Sequence, residues 1–206
     1  MKNTDKKIYL ASKSPRRREL LRQVGVEFEL LMLRSDPARG GEDVSEAVLP
    51  GEDPHTYVAR VAKEKGAFAW NILQMRRQPL RPILTADTTV TLDGEILGKP
   101  TDNAEAVAML ERLSGRSHEV LTSVAIHAER VVEQVTQVST VRFARLTPAQ
   151  VKAYCATTEP YDKAGGYGIQ GLAALFVEHI EGSHSGIMGL PLFETAALLR
   201  KAGIVI

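Results

Sequence analysis

Three stretches of the chain combine charged side chains with turn-forming residues, and together they offer the groups that a phosphorylated ligand requires. They are Ser12-Lys-Ser-Pro-Arg-Arg17, Asp87 to Lys99, and Lys163 to Gln170. Their cations suit phosphate oxygens, and their amide groups suit the edge of a nucleobase. Opposite unit charges roughly 4 Å apart attract by about 4 kcal/mol at an intermediate dielectric, so several fixed cations could hold a triphosphate strongly. The sequence contains neither a Walker-type loop nor a Ser-His-Asp pattern.

The stretch around Asp87 predicts a β-hairpin that carries two charged groups. Apolar side chains alternate with threonines over residues 89–92, and Asp93-Gly94 is the preferred two-residue turn. Asp87 ends an apolar run, and Lys99 stands between a glycine and a proline that fix its backbone. A carboxylate among cations would be ionised, so it could accept a proton from water or bind a divalent metal. The alternative is an aspartate at the end of a strand and a lysine in solvent.

The first stretch predicts a helix whose N-terminus binds an anion. Ser14 suits the N-cap, Pro15 suits the first helical position, and Gly25 suits the residue after the helix. The helix opens with Arg16-Arg17-Arg18, although the helix macrodipole favours anions there. Free N–H groups, two serine hydroxyls and guanidinium groups together favour a bound anion. The alternative is that these arginines only face solvent.

A glycine-rich loop follows Glu159 and holds Lys163 and Gln170. Gly166-Tyr-Gly-Ile-Gln-Gly171 matches the spacing of dinucleotide-binding loops, but that motif needs a strand directly before it, and Glu-Pro-Tyr-Asp-Lys stands there instead. Glycines let the backbone approach a ligand closely, and the Gln170 amide offers a donor and an acceptor to a base. The alternative is a structural turn with Gln170 in solvent.

Acidic residues and lysines elsewhere give weaker signals. Residues 34–53 are polar and hold prolines, which predicts an irregular loop at the rim of a site. Its Asp43 and Glu46 are candidate metal ligands or solvated acids. Lys65 lies on a helix predicted over 54–77, where composition gives no reason to single it out. The five histidines are scattered, without the spacing of metal ligands.

Hydrophobic periodicity predicts the remaining elements. Beyond the hairpin, strands are predicted at 8–11, 26–33, 117–127, 131–144 and 172–180. Helices are predicted at 15–24, at 54–77, between the cap at 101–102 and the stop at 114–115, at 148–155, and after Pro191. The 172–180 segment is apolar, which is typical of a strand in the centre of a sheet.

Composition limits the classes of function. The chain has 206 residues, of which 44% are hydrophobic and 25% charged, enough for the core of one large domain or two small lobes. The formal net charge of +1 argues against a general polyanion binder. Cys155 is the single cysteine, which excludes an intramolecular disulfide and fits a reducing compartment. The apolar run after the basic start is too short for a signal peptide, and no run approaches a membrane span, so we expect a cytoplasmic protein.

Taken together, the motifs resemble the Maf family of nucleoside triphosphate pyrophosphatases nearly from end to end. The resemblance is carried by Leu10-Ala-Ser-Lys-Ser-Pro-Arg-Arg17, Ala86-Asp-Thr88, Gly98-Lys-Pro100, Leu113-Ser-Gly115, Asp162-Lys-Ala-Gly-Gly-Tyr-Gly-Ile-Gln-Gly171 and Gly189-Leu-Pro-Leu192. It implies hydrolysis between the α- and β-phosphates with a divalent cation, Mg²⁺ or Mn²⁺. It also implies one domain over 1–206 with an elongated Maf/ITPase-like α/β fold, in which a mixed sheet is flanked by helices and two lobes surround a cleft, and a homodimer.

The resemblance also implies a role for each candidate site residue. Asp87 is the expected proton acceptor that activates water, and an expected metal ligand. Family members carry an acidic pair after the second strand, and its best match here is Ser45-Glu46, so Glu46 is the other expected metal ligand. Positions linked to substrate choice are Arg16, Thr88 and Gln170, and phosphate-facing positions are Ser12, Arg17, Lys65, Lys99 and Lys163. The 162–171 loop is similar to that of the branch acting on dTTP and UTP.

Three hypotheses follow for the function. The first is a metal-dependent dTTP/UTP pyrophosphatase that removes unwanted or modified pyrimidine nucleotides. The second is a pyrophosphatase for 7-methyl-GTP or other modified nucleotides, a branch whose 162–171 loop looks different. The third is a nucleotide-binding or nucleic-acid-binding regulator of septum formation without turnover. The near-zero net charge counts against nucleic acid as a partner.

Overall fold

The structure is a computed structural model that describes residues 7–32 and 44–206. Its strands are β1 (Ile8–Leu10), β2 (Phe28–Leu30), β3 (Ile83–Leu92), β4 (Glu95–Leu97), β5 (Ser117–Ala128), β6 (Val131–Phe143) and β7 (Val177–Glu181). Its helices are α1 (Pro15–Gln23), α2 (Pro54–Met75), α3 (Asn103–Leu113), α4 (Pro148–Cys155), α5 (His184–Ile187) and α6 (Leu192–Lys201). Short 3₁₀ helices lie at Pro160–Asp162, Ala164–Gly166 and Leu172–Phe176. Within these residues no helix is long and apolar enough to span a membrane.

The strands form one mixed sheet with helices packed on its faces. In the described residues the seven strands take the order β2-β1-β3-β5-β6-β7, and β4 pairs with β3 beside this path. β1 lies parallel to β2 and to β3, and the other pairs are antiparallel. The predicted mixed sheet flanked by helices and the long antiparallel pair of β5 and β6 are confirmed. The two lobes and the single domain stay predictions.

Alternation along the strands divides the core between the two faces of the sheet. Ile8 and Leu10 of β1 point into a large core shared with α1, α3, α4 and α6. Tyr9 points to the other face, where it packs with Ala69 and Leu73 of α2. β3 continues this alternation, and we call its two sides the core face and the α2 face. The core face carries Leu84, Ala86, Thr88 and Val90, and the α2 face carries Ile83, Thr85, Asp87 and Thr89.

The β3–β4 hairpin forms as the sequence predicts. Asp93 and Gly94 have φ values of 54° and 81°, as the preferred two-residue turn requires. β3 continues without interruption through Asp87. The alternative that Asp87 is an aspartate at the end of a strand is therefore wrong, because its backbone pairs with Ser123 in the middle of the sheet.

β3 lacks a neighbouring strand along part of one edge. β5 pairs with one edge of β3 from Ile83 to Thr91, so β1 and β4 must share the opposite edge. β1 pairs there only as far as Leu84, and β4 joins at Val90. Between these two positions the edge has no strand partner in the described residues. Backbone groups along this gap must find other partners, and a cleft opens beside it.

The segment predicted as a central strand at 172–180 is instead a 3₁₀ helix followed by the edge strand β7. The Glu159 carboxylate accepts hydrogen bonds from the N–H groups of Leu172 and Ala173, which satisfies the start of the Leu172–Phe176 helix. β7 then pairs with β6 at the end of the strand order. The prediction was wrong because a short apolar run does not distinguish a buried strand from a helical turn.

The helix starts agree with the sequence more closely than the ends do. Pro15, Pro54 and Pro148 each open a helix, as predicted from the fixed φ of proline. α2 ends at Met75, two residues before the predicted end, and Arg77 has a left-handed φ of 50°. The end of the predicted 26–33 strand lies outside the described residues, and so does the candidate metal ligand Asp43.

Candidate active site

The candidate site residues meet in one cleft beside the gap in β3. The cleft encloses about 940 Å³ and is bordered by the segment before α1, by β3 and α2, and by the glycine-rich loop. Every candidate residue borders it: Ser12, Arg16, Arg17, Glu46, Lys65, Asp87, Thr88, Lys99, Lys163 and Gln170. The structure therefore brings together stretches that are far apart in the sequence. The roles of the individual residues stay predictions.

On the α2 face of β3, one lysine joins two carboxylates. Nζ of Lys65 lies 2.8 Å from Oδ1 of Asp87 and 2.6 Å from Oε1 of Glu46. Asp87 is buried, whereas the Glu46 side chain is 41% exposed. Burial opposes the charge on Glu46, but the attraction and hydrogen bond of Lys65 outweigh it, so the pKa of Glu46 lies below its ordinary value. Glu46 is therefore ionised at neutral pH.

Helical spacing explains why Lys65 reaches the cleft. α2 packs its Val58, Val61 and Ala62 on the sheet, and Lys65 follows them at intervals of seven, four and three residues. Residues at these intervals share one face of a helix. The Thr85 hydroxyl strengthens the same contact, because it donates to the carbonyl of Ala62 at 2.8 Å. A lysine in register with the buried face of a helix is the sequence signal that composition alone does not give.

Two side chains of α2 hold the segment that carries Glu46. The Tyr57 hydroxyl donates to the backbone carbonyl of Glu46 at 3.0 Å. Arg60 donates to the carbonyl of Ala47 at 2.9 Å and pairs with Glu52 at 2.6 Å. Tyr57 also borders the cleft, which sequence reasoning missed because this residue fits the apolar face of α2 equally well. The backbone beside Lys65 is thus fixed from α2.

On the core face of β3, Arg17 is surrounded by acceptors. Its Nε donates to the carbonyl of Gly189 at 2.7 Å. Its Nη1 donates to the carbonyl of Ala86 at 2.8 Å and to Oγ of Ser12 at 3.2 Å. Its Nη2 donates to Oγ1 of Thr88 at 3.1 Å. Burial lowers the pKa of the Arg17 guanidinium from its ordinary value, and the charge of nearby carboxylates opposes this shift.

The hydroxyls beside Arg17 differ in what they can still bond. The Ser12 oxygen accepts from Arg17 and from the N–H group of Ser14, each at 3.2 Å. Its own proton has no acceptor in the described residues, so it can be donated to a ligand. Thr88 instead accepts from Arg17 and shares a 2.9 Å hydrogen bond with Thr122. The Thr88 hydroxyl is therefore less available to a ligand than the Ser12 hydroxyl.

The glycine-rich loop holds Lys163 against its own backbone. Nζ of Lys163 donates to the carbonyl of Glu159 at 2.7 Å and pairs with the carboxylate of Asp162. A Cβ atom at Gly168 would lie 2.8 Å from Cε of Lys163, so a larger residue there would make the Lys163 side chain shift. Burial opposes the charge on Asp162, but Lys163 and then Arg16 attract it, so the pKa of Asp162 lies below its ordinary value. The segment at the start of α1 and the glycine-rich loop therefore face each other.

Some polar side chains border the cleft without any protein partner in the described residues. Arg16, Lys99 and Gln170 make no side-chain hydrogen bond or ion pair within this part of the chain. The N–H group of Gly165 donates to the carbonyl of Gly98 at 2.9 Å, which joins the hairpin to the glycine-rich loop beside Lys99. A ligand can reach these side chains without breaking a bond within the protein.

The carboxylates on the α2 face of β3 fit a divalent cation. Mg²⁺ prefers oxygen ligands and is commonly held by one or two carboxylates, with phosphate oxygens and water completing its shell. Asp87 and Glu46 both contact Nζ of Lys65, so a positive charge already lies between their oxygens. Among the described residues, no group of three or more His, Cys, Asp or Glu side chains could hold a metal. A cation here would need ligands from the substrate.

Nearly the whole chain matches one protein family. A family model described as Maf-like protein matches residues 7–202, and the chain belongs to the Maf family. A dTTP/UTP pyrophosphatase of Ralstonia nicotianae (strain ATCC BAA-1114 / GMI1000) is 56% identical over 202 residues, which cover 97% of this chain and 95% of the relative. A dTTP/UTP pyrophosphatase of Aromatoleum aromaticum (strain DSM 19018 / LMG 30748 / EbN1) is 52% identical over 203 residues, 98% of each chain. The resemblance to this family is confirmed.

Proposed function

We propose that this protein is a nucleoside triphosphate pyrophosphatase that acts on dTTP and UTP. The observation that carries the proposal is the cleft beside β3, where Asp87 lies among cations from separate stretches of the chain. Relatives that are 52% and 56% identical over nearly their full length are named for this activity. In the reaction a water oxygen bonds to phosphorus and the P–O bond between the α- and β-phosphates breaks. The products are the nucleoside monophosphate and pyrophosphate, and Asp87 takes the proton of the water.

Asp87 has one oxygen available for that proton. Lys65 donates to Oδ1, while Oδ2 has no hydrogen-bond partner in the described residues. Lys65 therefore occupies Oδ1 and leaves Oδ2 open to the attacking water. A positioned general base of this kind contributes about 10²–10⁴-fold to the rate.

The phosphates are assigned to cations and a hydroxyl that border the cleft. Lys99 has no protein partner in the described residues, and the Ser12 hydroxyl has a proton to donate. Lys163 pairs with Asp162, a largely exposed carboxylate, and it can exchange this bond for one to a polyanion. Lys65 completes the set from α2. Arg17 has four of its five N–H groups bonded to the protein.

Recognition of the nucleobase is assigned to Gln170 and Arg16, and Thr88, whose hydroxyl is bonded to Arg17 and Thr122, is assigned a part in substrate choice from its place on the cleft wall. Uracil and thymine carry a ring N–H group between two carbonyls, so a side-chain amide can accept from the N–H group and donate to a carbonyl. Gln170 is exposed to the cleft with both of its functions open in the described residues. Arg16 borders the same cleft and attracts Asp162 of the glycine-rich loop, so it is available to a nucleotide bound there.

A divalent cation, Mg²⁺ or Mn²⁺, would be held by Asp87 and Glu46, and it would supply positive charge to the phosphates. The donor set supports this assignment, because both carboxylates already contact one positive charge.

The homodimer and the cytoplasmic location stay predictions.

The proposal is tested by pyrophosphate release from dTTP, UTP, dCTP, dGTP and 7-methyl-GTP, with Mg²⁺ or Mn²⁺ and with EDTA. We expect dTTP and UTP to give the highest kcat/KM and EDTA to stop release. A preference for 7-methyl-GTP would overturn the substrate assignment. Nucleotide binding without release from any triphosphate would overturn the enzymatic function and favour the regulator.

A further inference from the structure

The guanidinium of Arg17 is almost fully used by the protein itself. An arginine carries five N–H groups. In Arg17, four of them meet separate acceptors in Gly189, Ala86, Ser12 and Thr88. One N–H group on Nη2 is left. A two-pronged grip on phosphate uses two parallel N–H groups, so Arg17 could form it only by giving up a bond to the protein.

We propose that Arg17 is a positioning residue for the reaction, which holds β3 through the backbone carbonyl before Asp87 and the side-chain hydroxyl after it. The proposal rests on the function proposed above. Its two acceptors on β3 are the carbonyl of Ala86 and the hydroxyl of Thr88, directly before and after Asp87. The family resemblance implies that Arg17 faces phosphate, whereas these contacts indicate that Arg17 acts mainly by positioning Asp87.

Arg17 takes the place of a missing strand at the gap in β3. The carbonyl of Leu84 points to the gapped edge, where it accepts from the N–H group of Ala11 at 3.0 Å. Two residues further on, the carbonyl of Ala86 points the same way, because alternate residues of a strand share an edge. β4 has not yet joined there, since its pairing begins at Val90. Arg17 supplies the donor that a neighbouring strand would otherwise supply.

A directed chain of hydrogen bonds extends this hold beyond β3. Thr122 of β5 donates its only hydroxyl proton to the carbonyl of Gly186 at 2.8 Å. The bond between the two threonines must therefore be donated by Thr88, whose oxygen accepts from Arg17. Nε of Arg17 reaches Gly189 three residues after Gly186. One guanidinium thus ties α1, β3, β5 and the turn before α6 together.

The turn before α6 is shaped to allow this contact. Gly189 has a φ of 106°, which side chains other than hydrogen rarely allow. A Cβ atom there would lie 3.4 Å from both Nε of Arg17 and Oγ1 of Thr88. A larger residue would be strained by this φ and would stand in van der Waals contact with both groups.

A phosphate ligand and a positioning residue differ in kinetics. Loss of a phosphate ligand weakens binding, so it raises KM and the inhibition constant for pyrophosphate. Loss of a positioning group leaves these nearly unchanged and lowers kcat, because an error of about 1 Å in a reacting group can cost about 100-fold. Arg16 is the matched comparison, since it is the neighbouring arginine, borders the cleft and makes no side-chain hydrogen bond or ion pair in the described residues, so its loss should raise KM and leave kcat nearly unchanged.

The kinetic test compares Arg17→Ala and Arg17→Lys with Arg16→Ala, using dTTP and Mg²⁺. For both Arg17 variants we expect kcat to fall about 100-fold, with KM and the pyrophosphate inhibition constant within about threefold of wild type. Added guanidinium ion should restore about tenfold in kcat to Arg17→Ala and nothing to Arg16→Ala. A rise of more than about tenfold in KM with kcat preserved would overturn the proposal. Arg17→Lys keeps the charge but cannot reach all of the acceptors, so it serves if Arg17→Ala does not fold.

Hydrogen exchange gives a second readout that needs no turnover. Without nucleotide, we expect amides of residues 84–90 in Arg17→Lys to exchange about tenfold faster than in wild type, while those of α2 stay unchanged. Equal protection at 84–90 would overturn the positioning role. Wild-type protein that cleaves no triphosphate would instead overturn the function proposed above, and the exchange data would still decide the role of Arg17.

Discussion

The two faces of β3 hold their cations in opposite ways. On the α2 face, Lys65 is bonded to two carboxylates, one of them partly exposed. On the core face, Arg17 is bonded to neutral oxygens of the backbone and of hydroxyls. The pair of Lys65 with the partly exposed Glu46 adds little stability, so a phosphate can take the place of Glu46. Loss of a cation that bonds several buried acceptors leaves those acceptors unpaired, which costs far more.

The charged groups on the two faces of β3 therefore have different functions. The α2 face keeps its charged groups exchangeable beside Asp87, as binding and proton transfer require. The core face uses its guanidinium to keep the backbone in place.

Removal of the acceptor on the α2 face should have the largest effect. Asp87→Asn keeps the shape of the side chain and leaves the bonds of Arg17 intact, but an amide cannot take the proton of water. We expect kcat for dTTP to fall at least about 100-fold, measured by pyrophosphate release. Asp93→Asn is the control, because Asp93 is an exposed residue in the hairpin turn and asparagine tolerates positive φ. Turnover of a folded Asp87→Asn protein near the wild-type rate would contradict the account.

The core that packs on the core face of β3 should also lose stability in acid, because it buries His118 of β5. His118 shares a 2.7 Å hydrogen bond with the hydroxyl of Tyr167 beneath the glycine-rich loop. Burial lowers the pKa of His118 from 6.5 to about 4. Between about pH 6.5 and about pH 4, His118 binds a proton in the unfolded chain but not in the folded chain. The free energy of unfolding therefore falls as the pH drops through this range.

The measurement is urea unfolding at pH 7 and pH 4.5 for wild type and His118→Gln. Glutamine can still bond to Tyr167 but does not titrate. We expect wild type to lose about 2 kcal/mol more than the variant between the two pH values. Equal losses would show that His118 is not held neutral on the core face.

Metal affinity should show whether the Lys65 ammonium group and a divalent cation compete for the same two carboxylates. Lys65→Met removes the ammonium group that occupies the space between Asp87 and Glu46. We expect Mn²⁺ to bind about tenfold more tightly to this variant without nucleotide, measured by electron paramagnetic resonance. Lys63→Met is the control, because Lys63 is an exposed residue of the same helix. Unchanged or weaker Mn²⁺ binding in Lys65→Met would argue against a shared site.

The smallest effect is expected from the nucleobase contact. Gln170→Ala should lower the preference for dTTP over dCTP several-fold, because one neutral hydrogen bond contributes about 1 kcal/mol. The inhibition constant for pyrophosphate should not change, since phosphate contacts remain. Gln74→Ala, an exposed position on α2, is the control. An equal loss with every nucleotide would place Gln170 outside base recognition.

Local features of the fold could be predicted because neighbours in the sequence determine them. Asp93-Gly94 requires a tight turn, and Pro15 requires a helix start. The 172–180 segment could not be predicted, since its start depends on a carboxylate thirteen residues away, that of Glu159. The alternation of β3 is also local, but the gap in its edge depends on where β1 and β4 end.

The candidate site shows the same limit. From the sequence, Arg16-Arg17-Arg18 is interpreted as one cationic cluster, but successive side chains of a helix point about 100° apart. Arg16 therefore faces the cleft without a protein partner in the described residues, whereas Arg17 turns into the core face. The partner that distinguishes them, Gly189, is 172 residues away along the chain, and no local pattern reveals it.

The most direct measurement is a crystal structure of the Asp87→Asn variant with dTTP and Mg²⁺. We expect the triphosphate in the cleft beside the gap in β3, with the metal between residue 87 and Glu46. We also expect a water within hydrogen-bond reach of residue 87 and unbroken bonds of Arg17 to Ala86 and Gly189. A nucleotide bound elsewhere, or Arg17 released from Ala86 to grip the phosphates with two N–H groups, would contradict the account.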